Sequence, residues 1–347
     1  MLITVISVLT ILAAFPGSIM ASGFAITEQS VSGLGNAFSG SAAASEDAST
    51  VFHNPAGMTL LKGQQIIIGL HIISPRTEFK DEGSRAVSGI AVPGIPPVPS
   101  FNNVLAGGSG GDAGGIFTVP NFYYVLPLAG GWSFGLGLNS PFGLSTEYDP
   151  GWVGRYYGVK SELNTVNINP AFALRLSDEF SLGFGVSIQY LDAELSNAVD
   201  YGTLDTLGYF DKNLSDGKMD PVFGLRPQRD DGFTAVKGDS WGYGFNLGVL
   251  YEFSSGSRIG MSYRSRVSHD VEGDVDWTLP GTNGFDRVMA AATPQGLFQD
   301  GGVSSDIDLP ASASLSYYHN VNYHLSVMAD ITWTEWGVLE ELVLDYA

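Results

Sequence analysis

Few side chains in this sequence could do chemistry. There are five histidines, His53, His71, His269, His319 and His324, and no cysteine. The histidines have no metal-ligand spacing, and thiolate chemistry has no residue to use. A Gly-x-Ser-x-Gly match at Gly107-Gly108-Ser109-Gly110-Gly111 falls in a Gly-rich stretch with no strand-turn-helix pattern, so it is no nucleophile elbow, and no His-Glu-x-x-His pair occurs. The Gly-x-Gly pairs at 135–137 and 183–185 sit inside strand-like stretches and open no helix, so they are not dinucleotide fingerprints. A hydrolase whose Ser or acid/His site is scattered along the chain is the minor enzymatic alternative. The expectation is therefore no enzyme, no catalytic residue, no metal and no cofactor. What remains is backbone chemistry at two places. Asn54-Pro55-Ala56 sets a turn, because Pro fixes φ directly after a turn-forming residue. Asn139-Ser140-Pro141-Phe142-Gly143 interrupts an alternating stretch: Pro141 cannot donate to a ladder, and Gly143 favours a bend. The alternative is an ordinary strand end entering a loop.

The elements around these sites read as strands. In 241–253, Trp241, Tyr243, Phe245, Leu247, Val249, Tyr251 and Phe253 share one parity, with Gly242, Gly244, Asn246, Gly248 and Glu252 on the other. Period two over that length is a strand with two unlike faces. The pattern recurs at 132–138 and 180–190. Weaker copies lie at 65–73, 117–127, 166–176, 258–271, 311–317 and 323–333. That makes about nine strands. Tight connections at 128–131, 177–179, 254–257 and 319–322 alternate with long ones at 74–115, 143–162, 193–239 and 272–309. Short turns on one side and long loops on the other are the plan of an outer-membrane barrel. Trp132, Phe180, Phe253, Tyr317 and Tyr323 each fall at the tight-turn end of a strand on its apolar face, as an interfacial girdle requires. The opposite face carries Gly135, Gly137, Gly183, Gly185, Gly242 and Gly244, which lets another backbone approach.

That other backbone is expected to be residues 22–58. The stretch is rich in Gly, Ala and Ser, holds no regular period, and is spiked with Phe24, Ile26, Val31, Leu34, Phe38 and Val51. It cannot satisfy its own buried polar groups, and it reads as a plug. Residues 1–21 read as an export leader: an apolar run through Phe15, then Pro16, Gly17 and a small residue at Ala21. An N-terminal membrane anchor is the rival. The expected organisation is a leader over 1–21, a hatch over 22–62 and a barrel over 63–347. A net charge of -20 argues against nucleic acid as a partner.

Several motifs in order carry a family resemblance. They are Ser22-Gly23-Phe24-Ala25, Gly33-Leu34-Gly35-Asn36-Ala37-Phe38-Ser39-Gly40, Glu46-Asp47-Ala48 and Asn54-Pro55-Ala56-Gly57-Met58. They continue through Val119-Pro120-Asn121-Phe122, Ser140-Pro141-Phe142-Gly143-Leu144, Gly154-Arg155-Tyr156-Tyr157, Asn167-Ile168-Asn169-Pro170 and Gly238-Asp239-Ser240-Trp241-Gly242. The chain resembles the FadL family of Gram-negative outer-membrane transporters for long-chain fatty acids and hydrocarbons. The resemblance implies an all-β, transmembrane antiparallel barrel of about 14 strands with an N-terminal hatch, so about nine strands here imply an incomplete C-terminus.

The resemblance also implies a mechanism: passive diffusion, a hatch that rearranges, and sideways exit at a kink in the third strand. On that basis Phe24 and Ile26 are expected to line the ligand pocket. Asn54, Pro55 and Ala56 belong to the hatch, and Asn139, Ser140, Pro141, Phe142 and Gly143 form the exit. The family holds a carboxylate with basic residues, and the matching stretch Ala193-Glu194-Leu195-Ser196-Asn197 has none. Fatty acid and neutral hydrocarbon both stay open as ligands. Outer-membrane lipid and lipopolysaccharide are the other expected partners of a monomer. Arg155 is expected at the external rim, on lipopolysaccharide phosphate or on an aromatic ring. Phe285, Val288, Met289, Ala292, Leu297 and Phe298 are expected either to form a greasy docking patch or to pack among the loops. The contrasting function is a polar-solute porin or a surface adhesin.

Overall fold

The computed structural model describes residues 24–85, 104–206, 210, 222–254, 256–281, 298–339 and 341–346. The expected leader, and Phe285, Val288, Met289, Ala292 and Leu297, lie outside them. The described chain opens with three one-turn helices, α1 (Val31–Leu34), α2 (Ser41–Ala44) and α3 (Thr50–His53), then a 3-10 helix, Pro55–Leu60. The strands follow: β1 (Gln65–Ile73), β2 (Phe117–Pro127), β3 (Trp132–Asn139), β4 (Gly143–Glu147), β5 (Lys160–Arg175), β6 (Phe180–Val199) and β7 (Gly232–Ser254). Helix α4 (Tyr201–Thr206) lies between β6 and β7. After β7 come β8 (Ser257–Arg264), β9 (Val267–Thr278), β10 (Gly301–Leu309), β11 (Ser312–Asn322), β12 (Leu325–Thr334) and β13 (Asp345–Tyr346). No described helix is long and apolar enough to cross a membrane.

All 13 described strands join one sheet, and every pairing between them is antiparallel. Several segments are halves of one broken wall strand. Both β3 and β4 lie against β5. Both β8 and β9 lie against β7, and these halves are matched in turn by β11 and β10, then by β12 and β13. Joined end to end, the segments make nine wall strands, the number expected from the alternation. Among the described residues, β1 pairs only with β2, and β12 only with β11.

The wall changes character along its height. From the tight turns up to the level of Trp241, large apolar side chains point outward: Ile66, Ile68, Leu70 and Ile72 on β1 and Trp241, Tyr243, Phe245 and Leu247 on β7 are exposed, Ile68 to 78%. An apolar face of this extent is stable against lipid, not water. The lower girdle runs through Trp132, Tyr251, Phe253 and Tyr317, with Phe253 and Tyr317 stacked at 6.3 Å. Ten positions up β6, Tyr190 meets Trp241 of β7 at 5.2 Å. Ten residues at ~3.4 Å each, tilted by about 40–45°, span about 25 Å, the height of an outer-membrane apolar band.

Above that level the two faces exchange roles. Outward positions become Asp192, Glu194, Asp239, Glu272 and Asp274, while Leu191, Val267, Val271, Ile307 and Leu309 turn inward as one apolar cluster. The strands therefore continue past the membrane surface. β6 extends to Val199 and β7 begins at Gly232, and β10 lies in a stretch expected to be loop. The expected long connections at 193–239 and 272–309 are shortened accordingly. The expected split at 143–162 is also partly strand, because β4 and the start of β5 lie in it.

This placement of the lipid band yields a test. Phe184 lies outward and midway between Phe180 and Tyr190. A Lys or Arg at such depth costs about 2–4 kcal/mol, and an Asp somewhat less. Phe184→Asp should strongly reduce the yield of folded, heat-modifiable protein on gel electrophoresis, whereas Asp192→Ser, above the band, should leave it unchanged.

Candidate functional site

The N-terminal segment lies on the inner face of the wall. It meets β1 through α1, β8 and β11 through α2, and β3, β5, β6 and β7 through the 3-10 helix. Glycines make this approach possible. A Cβ at Gly183 would lie 2.2 Å from the Ala56 nitrogen, and one at Gly248 2.0 Å from Asn54 Oδ1. At Gly260 it would lie 1.8 Å from the Ala42 carbonyl, and at Gly135 2.4 Å from Met58 Sδ. Gly137 faces Tyr123 and Val51, whereas Gly185, Gly242 and Gly244 face other wall side chains, not the segment.

Polar ties hold the segment there. Asn54 is fully buried, and its Oδ1 accepts from the Ala56 N–H at 3.0 Å, capping the 3-10 helix that Pro55 begins. Its Nδ2 donates to the Ala42 carbonyl at 2.6 Å and to Val249 of β7 at 3.0 Å. Two wall arginines reach the ends of the short helices, where carbonyls are unpaired. Arg258 donates to the carbonyls of Ala43, at 2.5 Å, and Ala44. Arg264 donates to the Phe52 carbonyl at 2.9 Å and lies over its ring at 4.1 Å. Burial, with Arg264 nearby, lowers the His53 pKa to about 4.

A second constellation forms where β3 stops. The β2–β3 ladder ends at Phe122–Leu138, so residues 117–121 of β2 have a partner on the β1 side alone. Pro120 lies in that free edge, where its missing N–H does no harm. Along β5, Asn139 pairs with Asn167 and Gly143 with Asn164, so Ser140-Pro141-Phe142 bulges inward. The bulge is paired by the N-terminal segment instead of β2. Ile26 N–H donates to the Pro141 carbonyl and Gly143 N–H to the Phe24 carbonyl, both at 2.9 Å, around an antiparallel bridge between Ala25 and Phe142.

Gln29, 1% exposed, completes the join. Its Nε2 donates to the carbonyls of Ile26 and Ser140 at 2.9 and 2.8 Å, and its Oε1 accepts from Asn139 Nδ2 at 2.7 Å. Its own carbonyl accepts from the Tyr123 hydroxyl at 2.8 Å. Thr165 Oγ1 accepts from the Phe142 N–H and donates to the Phe142 carbonyl, at 3.0 and 2.7 Å.

Between the free edge of β2 and the bulge lies a cleft of about 960 Å³. Phe24, Ala25, Ile26, Asn139, Ser140 and Gly143 line it from the break, and Ile68, Phe122, Leu138 and Val166 from the lipid-facing side. Phe142 turns away into the upper apolar cluster, 5.8 Å from Phe24, which also meets Trp336 at 5.3 Å. Seven residues above Trp132, the cleft lies roughly 18 Å up the lipid band by the same rise and tilt.

The structure thus brings Phe24 and Ile26 together with 139–143, and places Asn54, Pro55 and Ala56 apart, beneath β6 and β7. Gln29, Tyr123 and Thr165 were not singled out from sequence, since a buried glutamine gives no periodic signal. Arg155 is not available to a phosphate. It is 4% exposed, and its guanidinium donates to Asp231, Ala106, Trp152, Tyr156 and Gln228, leaving no donor over, with the Tyr156 ring 4.3 Å away. It ties three external loops together. Of the expected docking patch, Phe298 packs on Tyr201 and Trp277, each at 5.2 Å.

The sequence pattern of the family described as outer membrane protein transport protein (OMPP1/FadL/TodX) matches residues 12–347. Outer membrane protein P1 of Haemophilus influenzae is 29% identical over 335 residues, 94% of this chain and 68% of its own length. A long-chain fatty acid transport protein of Escherichia coli is 28% identical over 323 residues, 92% of this chain and 67% of its own. A crystal structure of a Pseudomonas aeruginosa FadL homologue superposes with a TM-score of 0.71 at 24% identity, covering 94% of this chain and 72% of that one. The Ralstonia pickettii toluene transporter TbuX superposes at 0.58 with 19% identity, covering 86% and 70%.

Two outcomes test the docking of the segment. Gly183→Val drives a side chain into the Ala56 backbone, which cannot move aside. New protease cleavage within residues 40–60 is expected, with the wall still folded. For His53, a depressed pKa means that the neutral form suits the docked state. Its contribution is full above pH 6.5 and declines as the pH falls towards about 4. Hydrogen-exchange protection of Thr50–His53 should fall over that range, and His53→Phe should flatten the dependence.

Proposed function

The chain belongs to the OMPP1/FadL/TodX family of outer membrane transport proteins, and on that premise we propose that it carries long-chain fatty acids or similar hydrophobic compounds inward by passive diffusion. The N-terminal segment acts as a hatch. The ligand leaves sideways into the membrane through the cleft at the β3–β4 break. The observation that carries this reading is the cleft itself, lined on one side by Phe24 and Ile26 and on the other by lipid-facing Ile68, Leu138 and Val166. Apolar side chains run from the inner side of the cleft to its lipid-facing side, among polar ones such as Asn139 and Ser140. The drive is burial of apolar surface, about 25 cal/mol per Å².

The apolar inner cluster above the band, Leu191, Val267, Val271, Ile307 and Leu309, supports an entry route from outside down to Phe142 and Phe24. Only part of the hatch needs to move. Residues 42–60 are tied by Asn54, Arg258 and Arg264, whereas Phe24–Ile26 is held by two backbone hydrogen bonds to the bulge and one from the Gln29 side chain. Moving Phe24–Ile26 alone clears the inner side of the cleft. A polar-solute porin fits less well, because the segment lies directly against Gly135, Gly183, Gly248 and Gly260 of the wall.

The test is uptake of labelled oleate and of toluene by cells carrying a chain with 139–143 rebuilt as a regular strand. Loss of both, with the folded protein still in the outer membrane, is expected. Unchanged uptake of both would discard the lateral route. Single-channel conductance should be near zero, and should rise on deletion of residues 22–58.

A further inference from the structure

Arg264 ends β8 on the inner face of the wall. It faces Asn246 of β7 across the ladder, and Asn246 faces Gly185, midway along β6 between Phe180 and Tyr190. A guanidinium is thus held near the middle of the lipid band. No carboxylate among the described residues forms an ion pair with it. One N–H donates to the Phe52 carbonyl at 2.9 Å, and another reaches Ser187 Oγ only at 3.4 Å. A guanidinium has five donors, so three of them find no acceptor among the described residues. The residue is half-buried and not sealed off. Arg258, lower on the same strand, instead donates to two carbonyls and lies over the Tyr318 ring. A charge at membrane depth is costly unless it is paired, and it marks a position with work to do.

The surroundings define the guest. Beside the guanidinium the wall is polar, with Ser187 and with Asn169 and Asn246, which are joined at 3.0 Å. Just above it β9 begins, and Val267 pairs with Leu309 in the apolar cluster that Phe142 shares and Phe24 packs against. An apolar lining therefore runs from the guanidinium to the β3–β4 break. The two lie four strand spacings apart in the sheet order, about 19 Å along the wall at ~4.8 Å each. An extended acyl chain covers that span, and a single aromatic ring does not. A carboxylate can take two N–H groups of a guanidinium at once in charge-assisted bonds, and enough donors are free for the Phe52 bond to stay. We infer that Arg264 is the counter-ion for the head group of a long-chain carboxylate whose tail lies along Val267 and Leu309 towards Phe24. This rests on the passage proposed above, and divides its cargo into ionised acids, which use Arg264, and neutral hydrocarbons, which pass without it.

The experiment titrates the full chain in lipid nanodiscs with ionised oleate, methyl oleate and toluene by calorimetry, with empty nanodiscs as blank. Oleate should bind about tenfold tighter than methyl oleate, the effect of one hydrogen bond to a charged group. In Arg264→Gln that preference should vanish. The amide can still donate to the Phe52 carbonyl, and unchanged protease resistance of residues 40–60 reports that the segment stays docked. Arg264→Lys, which keeps the charge, should retain part of the preference. Ser187→Asp keeps Arg264 and its Phe52 bond but sets a fixed carboxylate beside the guanidinium. It should erase the oleate preference as well, and it decides the matter if Arg264→Gln undocks the segment. Equal binding of oleate and methyl oleate by the unmodified chain, or a preference that survives Ser187→Asp and Arg264→Gln alike, would overturn the assignment while leaving the passage intact. If none of the three ligands binds above the blank, the passage falls and the assignment with it.

Discussion

Inside a bilayer every backbone N–H and C=O must find a partner in the protein, because lipid offers none. Between its outer strands, β1 and β12, the described wall meets that demand along most of its length by antiparallel pairing. It fails to do so between β2 and the bulge at Ser140-Pro141-Phe142, where β2 loses its neighbour above Phe122. Such a break is tolerable only if the freed groups are paired from elsewhere. Phe24–Ile26 supplies the missing strand from the inside, and Gln29 supplies the missing side-chain bonds to Ser140 and Asn139. The cleft, the burial of Phe142 and the docking of the chain's start all follow from this substitution of one pairing partner for another.

The rest of the interior is arranged around that join. Small residues on the inner face let a backbone of poor regularity lie directly on the sheet, and Asn54, Arg258 and Arg264 satisfy carbonyls that such short helices cannot pair themselves. Above the lipid band the wall turns its apolar side inward, so Phe24 and Phe142 sit at the foot of an apolar lining. External loops are bound down by Arg155, with all its donors used, and by Asp205, which accepts from the backbone of Val222, Phe223 and Leu225.

Much of this was legible in the residues. β7 could be read over 241–253 because aromatic and aliphatic residues alternate there with glycine, and the break at 139–143 because Pro141 cannot serve a ladder. The upper halves of β6, β7 and β9 were harder to read. Above the interface the outward positions are Asp192, Glu194, Asp239 and Glu272, so the same period of two is written in charges and its apolar parity is reversed. β10, Gly301–Leu309, was missed for that reason: its inward residues are Val303, Ile307 and Leu309 and its outward ones Ser304, Asp306 and Asp308. Gln29 gave no signal because a lone buried amide has no period, and what it does depends on what the fold sets beside it.

The absence of cysteine from the natural chain allows a direct measurement of the join between Phe24–Ile26 and the bulge. Ala25 and Phe142 face each other as a non-hydrogen-bonded antiparallel pair, flanked by the bonds from Ile26 and Gly143; Cα atoms in such pairs lie about 4.5 Å apart, within disulfide range. In the double variant Ala25→Cys, Phe142→Cys, uptake of labelled oleate and toluene is compared before and after oxidation of the same cells, so that loss of the Phe142 ring affects both arms alike. The account predicts that the disulfide forms readily, and that it abolishes uptake until reduced. A disulfide that forms and leaves uptake unchanged, or one that does not form in the folded protein, would contradict it.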